Sequence, residues 1–274
     1  MTTIAIPRRA GTVPAALPPV RSASVATVGI DVGGTGIKAA AVDGTRGALL
    51  SERLRVATPH PATPEAVALA TARLVHEVAG DGPVGVGLPA AVVGGRTMTA
   101  ANIDESWVGT DAARIFGSAL GREVVIVNDA DAAGLAEMRF GAGRGEDGVV
   151  LVLTLGTGIG SALFVGGTLV PNTELGHLEL HGKAAERRAA SSARERESLS
   201  WSKWARRLSR YLDHVDRLLW PDLVILGGGV SAKADRWLAG VVARPRVVAA
   251  ELQNTAGIVG AALAAAEHTT GGAR

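Results

Sequence analysis

Apolar and polar positions along the chain fall into short runs punctuated by glycine. Residues 25–31, 37–43 and 49–56 read as β-type runs in an antiparallel meander. Pro64 opens a helix with Thr63 as its cap, and Val67, Ala70, Leu74, Val75 and Val78 form the apolar stripe. Residues 84–88 are a buried strand. Thr110 is expected to cap a helix running to Leu120. Residues 124–127 form a strand ended by Asn128-Asp129, and residues 130–140 a helix. A Gly-rich link over residues 141–148 leads to a strand at 149–155, then strands at 161–165 and 168–170 joined by Gly166-Gly167. Residues 200–219 form one long helix. A strand at 223–226 precedes a helix near residues 232–239.

Three strands end in glycine clusters. The first is followed by Gly33, Gly34, Thr35 and Gly36, with Asp31 before the turn and Lys38 after it. The turn is not a Walker loop or a dinucleotide fingerprint, because neither spacing is present and a strand, not a helix, follows. Taken alone, it is either a Gly-rich hairpin or a concave anion site of backbone N–H groups. Asp31, an acceptor when ionised, suits Mg²⁺ better than a phosphate. The device recurs as Gly156-Thr157-Gly158-Ile159-Gly160 between two strands, and a third cluster, Gly227-Gly228-Gly229, follows residues 223–226. The repetition favours two related lobes facing one nucleotide- or polyphosphate-type cleft.

The polar residues near these turns suggest chemistry. Asp129, at a strand end, is either a general base for a substrate hydroxyl or a helix cap. Glu174, His177 and Glu179 suit a ligand with many hydroxyls; a metal there would need a comparable third ligand. Residues 182–210 carry nine basic against three acidic side chains, a local +6. Within the long helix, Lys203, Arg206, Arg207 and Arg210 form a basic stripe. It is either a solvated face or a track for an extended polyanion, and few aromatics interleave it, so base stacking is not suggested.

Composition narrows the classes. The chain is 47% hydrophobic but only 3% aromatic, so Ala, Val, Leu and Gly must fill the core. Net charge is +2, which does not argue for nucleic acid. No apolar run is long enough for a membrane span. The absence of Cys excludes disulfides and Cys-bound zinc, and fits a reducing, cytoplasmic setting. Residues 1–24 hold four prolines and no apolar period, and read as a disordered tail.

The segments DVGGTGIKAA, ANIDESW, VNDADAAG, TLGTGIGSALF, PNTELGHLEL, LSWSKWARRL and WPDLVILGGGVS together resemble the sugar kinases of the ROK family (repressor, open reading frame, kinase), within the actin-like ATPase superfamily. The likeness covers residues 25–265, and the last two segments favour the polyphosphate-using branch. It implies an α/β, two-lobed, ribonuclease H-like fold with duplicated strand–phosphate loop–strand units around a central cleft. Residues 25–128 plus 255–270 would form the N-terminal lobe and 129–254 the C-terminal lobe. It also implies phosphoryl transfer to the 6-hydroxyl of glucose from inorganic polyphosphate, ATP or both. The rivals are a strictly ATP-dependent sugar kinase, for glucose or mannose, and a non-catalytic sugar-sensing regulator. Asp129 would be the base. Asn102, Asn128, Asp129, Glu174, His177 and Glu186 would hold the sugar, and Gly33, Gly34, Thr35, Lys38, Thr157 and Gly158 the phosphates. Gly228 and Gly229 would lie near a nucleotide, and Asp31 would face Mg²⁺. A homodimer is expected, with no zinc, because the usual Cys-rich motif is missing.

Overall fold

The computed structural model describes residues 26–271 apart from 79, 101 and 102. The expected tail and Asn102 therefore lie outside the described residues. Two sheets of the same design dominate. In the first, β1 (Ala26–Gly33) pairs antiparallel with β2 (Gly36–Asp43), and β2 takes both β3 (Ala48–Leu49) and β4 (Leu54–Val56). On its other side β1 runs parallel to β5 (Val84–Leu88), and β5 parallel to β8 (Val124–Asn128). A small hairpin, β6 (Val92–Val93) and β7 (Arg96–Thr97), stands apart.

The second sheet repeats the scheme. β9 (Val149–Leu155) is antiparallel to β10 (Ile159–Val165), which pairs with β11 (Thr168–Val170). A second small hairpin, β12 (Glu179–Leu180) and β13 (Lys183–Ala184), follows. β14 (Leu223–Gly227) runs parallel to β9, and β15 (Arg246–Ala249) parallel to β14. Each sheet thus places one Gly/Thr turn between its first two strands, as the sequence repeat predicts. The central strands are buried along nearly their whole length, which explains their continuous Val, Ile and Leu runs.

The helices are α1 (Pro64–Glu77), α2 (Ala112–Leu120), α3 (Asp129–Phe140), α4 (Glu186–Ala189), α5 (Ser191–Arg196), α6 (Trp201–Leu219) and α7 (Ala256–Gly271). Thr63 caps α1 as expected, its side chain accepting from Ala66 N. α2 is capped by Asp111, not Thr110; the Asp111 carboxylate accepts from Arg114 N. Residues 49–56 are not one strand. Between β3 and β4 the Ser51 hydroxyl accepts from Ala41 N at 3.0 Å, so a side chain replaces the ladder there. Residues 229–236 form a 3₁₀ segment kinked at Lys233 instead of an α-helix, and a separate turn follows at residues 238–240. Ser231 bonds to Gly228 O through both its N–H and its hydroxyl, closing three-residue turns where an α-helix would close four.

α3 and α7 run between the two sheets and pack on each other; α7 also lies on β1 and β5, and α3 on β9 and β10. The crossing is made of backbone. A methyl added at Gly260 would lie 1.6 Å from Ala132 O, and one at Gly85 would lie 1.8 Å from Ala261 O. Only glycine fits at either point.

Candidate active site

One cleft of about 400 Å³ lies between the sheets. Its walls are the ends of β1, β8, β9 and β14, where ligands of open α/β sheets bind. Three glycine turns converge on it. Gly33, Gly34 and Thr35 come from the first sheet, Gly156, Thr157 and Gly158 from the second, and Gly228 and Gly229 from the end of β14. Gly228 has φ of +81°, and a methyl on it would meet Leu155 O at 2.5 Å, so the turn after β14 demands glycine.

Asp31 and Lys38 are opposite partners in the β1–β2 ladder, and their side chains form an ion pair at 2.8 Å. Gly257, at the start of α7, lies against the Asp31 carboxyl. At the end of β8, Asn128 caps α3. Its side-chain oxygen accepts from Ala130 N and Asp131 N, and its amide donates to Ala90 O at 3.1 Å. The cap is therefore Asn128, which leaves the Asp129 carboxyl free to face the cleft. Burial pushes the Asp129 carboxyl up to about 7, with the Asp31 charge adding to it and Glu174 and Asp131 contributing less.

The loop after β11 and the start of α4 bring the remaining polar groups. His177 Nε2 lies 3.6 Å from Glu174 Oε2, and His177 Nδ1 lies 3.9 Å from Glu186 Oε1. Glu186 also accepts from Ile159 N at 3.1 Å, which ties it to the second glycine turn. Partial burial raises the Glu174 carboxyl; His177 opposes this and Glu186 adds to it. Asp129, Glu174, His177 and Glu186 thus line the same cleft as the three glycine turns, a set of carboxylates and an imidazole beside backbone N–H groups. Lys203, Arg206, Arg207 and Arg210 do not border the cleft, and Arg207 is already paired with Glu197 at 2.6 Å.

The model for the ROK family matches residues 27–193. The chain belongs to the ROK family. A polyphosphate glucokinase of Mycobacterium tuberculosis (strain CDC 1551 / Oshkosh) is 53% identical over 243 residues, covering 88% of this chain and 92% of that one. Among solved structures, the inorganic polyphosphate/ATP-glucomannokinase from Arthrobacter sp. strain KM superposes with a TM-score of 0.87 at 51% identity, covering 89% of this chain and 99% of its own. A ROK family glucokinase from Streptomyces griseus, solved with glucose and AMPPNP, gives 0.74 at 29% identity, over 88% of this chain and 99% of that one. The fold is the α/β actin-like ATPase fold of these sugar kinases.

Within this ROK scaffold several bracing residues escaped the sequence reading. Thr58 donates to Gly33 O at 2.5 Å and Arg55 to Thr35 O at 2.9 Å, so β4 and the residues just after it hold the first turn. Ser192 holds the second turn twice, through its N–H to Gly156 O and its hydroxyl to Thr157 O. Asp131, buried on α3, accepts from Asn172 N at 2.8 Å. Asn172 in turn forms two bonds from its side chain to the backbone of Val92, joining the loop after β11 to the β6 hairpin. Burial is the main cause that moves the Asp131 carboxyl up to about 6. Two carboxylates spaced i, i+2 at a helix start were the available signal for Asp131. They read equally well as ordinary helix-dipole partners.

Proposed function

We propose that this chain transfers a phosphoryl group from inorganic polyphosphate, and also from ATP, to the 6-hydroxyl of glucose. The observation that carries the reading is a single carboxyl, Asp129, raised to about 7 beside three backbone-lined turns. The names borne by the relatives described above support the choice of donor and sugar.

In this reading Glu174, His177 and Glu186 fix the sugar by directional hydrogen bonds. Asn128 positions Asp129 by capping α3. Asp129 accepts the proton of the 6-hydroxyl as that oxygen attacks the terminal phosphorus. The bond from that phosphorus to the bridging oxygen breaks, and the shortened polyphosphate leaves with the electron pair. The turns at Gly33, Gly34 and Thr35 and at Thr157 and Gly158, with Lys38, hold the phosphoryl oxygens by charge-assisted bonds. Gly228 and Gly229 border the space for a nucleotide when ATP is the donor.

Mg²⁺ is the metal of this reading. Asp31 fits it, because Mg²⁺ is commonly held by one or two carboxylates together with substrate phosphates. It supplies neutralisation of phosphate charge. The lobes divide as residues 25–128 with 255–270, and 129–254, and close over the sugar to exclude water. A homodimer in the cytoplasm completes the proposal, on the strength of the family resemblance.

The test is a rate assay with polyphosphate as sole donor, then with ATP, on purified protein. Glucose 6-phosphate should form with polyphosphate. Asp129→Ala should lower kcat by at least ~10²-fold while glucose still binds. Product from ATP alone would move the assignment to an ATP-dependent kinase, and near-normal turnover by the variant would remove Asp129 from the base's role.

A further inference from the structure

The first turn of α3 carries a second carboxyl besides Asp129. At about 100° per residue, Asp131 stands roughly 200° round the helix from Asp129, so the two leave on different sides. Asp129 lines the cleft and Asp131 does not. Asp131 is 2% exposed. Its Oδ2 accepts from Asn172 N at 2.8 Å, and its Oδ1 is buried without a hydrogen-bond partner among the described residues. An apolar side chain would avoid the cost of that unmatched oxygen, so packing alone gives no reason for an acid here. The reason lies in the bond to Asn172.

That bond holds a residue in a left-handed backbone state. Asn172 has φ of +59°, which asparagine tolerates better than most residues with a side chain. From there its side chain reaches β6. The amide oxygen accepts from Val92 N at 2.7 Å, and the amide donates to Val92 O at 2.9 Å. One side chain thus takes both backbone groups of Val92, as a neighbouring strand would. Asn128 holds the same segment nearby, since its amide donates to Ala90 O at 3.1 Å. Residues 89–99 bring Pro89 and Thr99 to the cleft lining. They are anchored twice on the start of α3, once by its cap and once through Asp131 and Asn172.

On the other side of Asn172 the chain runs into Glu174. Ser161 pins the flanking residues to β10, its hydroxyl donating to Thr173 O at 2.6 Å and accepting from Leu175 N at 3.0 Å. Those bonds stay beside the second sheet, whereas the Asn172 bonds reach the hairpin that follows β5 of the first.

We infer that Asp131 is a positioning residue for the acceptor: through Asn172 it sets the spacing between the Glu174 loop and the 89–99 hairpin, and so the width of the sugar end of the cleft. The inference rests on the proposed phosphorylation of glucose. The link depends on charge, because a hydrogen bond to a carboxylate is about twice as strong as one to a neutral acceptor. Burial pushes the Asp131 carboxyl up to about 6; the Asn172 N–H opposes this and the Glu174 charge adds to it. Asp129, on the same helix, is the other charge coupled to it. The link is therefore charge-assisted above about pH 6 and neutral below it.

The experiment titrates glucose calorimetrically into the full chain without donor, and measures initial rates with varied glucose and varied polyphosphate. The variants are Asp131→Asn, which keeps the shape and an acceptor but no charge, and Asn172→Gly, which keeps the left-handed backbone and its N–H but loses both bonds to Val92. At pH 8 the glucose Kd and KM should rise about 3-fold in Asp131→Asn and about 10-fold in Asn172→Gly, with KM for polyphosphate changed less than about 2-fold. The ratio of the Asp131→Asn Kd to the wild-type Kd should fall from about 3 at pH 8 to about 1 at pH 5, because the wild-type carboxyl is then neutral too. Taking the ratio removes the titrations of Asp129, Glu174 and His177 that both proteins share. If thermal melts show that Asp131→Asn fails to fold, Asn172→Gly makes the same test with Asp131 intact, its ratio falling from about 10 to about 3. The double variant should bind glucose about as weakly as Asn172→Gly alone, since both act through one link. A loss equal to the product of the two single effects overturns the route through Asn172. Ratios flat with pH, or equal changes for glucose and polyphosphate, reduce Asp131 to a structural group and overturn the inference. A wild-type protein that binds no glucose overturns the proposed function, and the positioning role with it; glucose binding unchanged in both variants overturns the positioning role alone.

Discussion

A carboxyl that titrates near pH 7 can take a proton from a hydroxyl and return it at neutral pH with little driving force lost either way. Asp129 has that property because the cleft floor withholds water from it and Asp31 adds a like charge. The acid limb of kcat/KM should therefore fall near pH 7, by about tenfold per unit below it. Asp31→Asn removes the second-largest cause of the shift, so the limb should move to lower pH in a pH–rate series. Stability is linked to the same carboxyl. The folded chain holds this proton up to about pH 7, and an ordinary carboxyl releases it near 3.8. Folding is thus favoured below pH 3.8, and that contribution is lost as pH rises through 7. Asp129→Asn should melt at a higher temperature than the parent at pH 8, with the gap closing toward pH 4. Asp129 was legible in the sequence as the residue at a strand end. Arg55, Thr58 and Ser192 were not, because they reach the turns from segments some 20 to 35 positions away.

At the level of elements, strands were read most easily. Their apolar runs between glycines matched the paired segments, and the repeat of strand, turn and strand matched the two sheets. What was not legible came from side chains standing in for backbone, as with Ser51 between β3 and β4. α7 was hard for a different reason. Its sequence is nearly all Ala, Gly, Val and Leu at the buried end, so no polar face marks its period. The contacts explain that composition, since Gly260 and Gly85 let backbones touch where helices cross or lie on a strand. Gly260→Ala should cost about 1–3 kcal/mol or more in denaturant unfolding, because a methyl there meets backbone that cannot rotate away. A variant as stable as the parent would show that α3 and α7 can separate without cost.

Over the whole molecule, the chain passes between the sheets twice, once through α3 and the link after it, and once between β15 and α7. One buried side chain holds both passages. The Glu137 carboxylate accepts from Ala142 N at the end of α3, and from Glu251 N and Leu252 N before α7. Glu137→Ala would strand three backbone donors, and should destabilise the fold by about 3 kcal/mol or more. The Asn172–Val92 pairing is the corresponding tie across the mouth, and it links the first sheet's side to the loop bearing Glu174. Both lie outside the reach of sequence reading, because each joins residues about 80 or more positions apart.

The cleft also differs end from end in how it can be altered. In the proposed reading the phosphoryl end is met mostly by peptide groups in glycine turns, with Lys38 beside them, and a peptide group is the same whichever residue supplies it. At the proposed sugar end the cleft is lined by the side chains of Glu174, His177 and Glu186, each replaceable by a single codon change. New sugars are therefore within reach of point substitution. The glycine turns themselves offer no such handle on the donor, because backbone amides register a phosphate and ignore what hangs from it. A variant line selected on this scaffold should change its acceptor long before its glycine turns change the phosphate they hold.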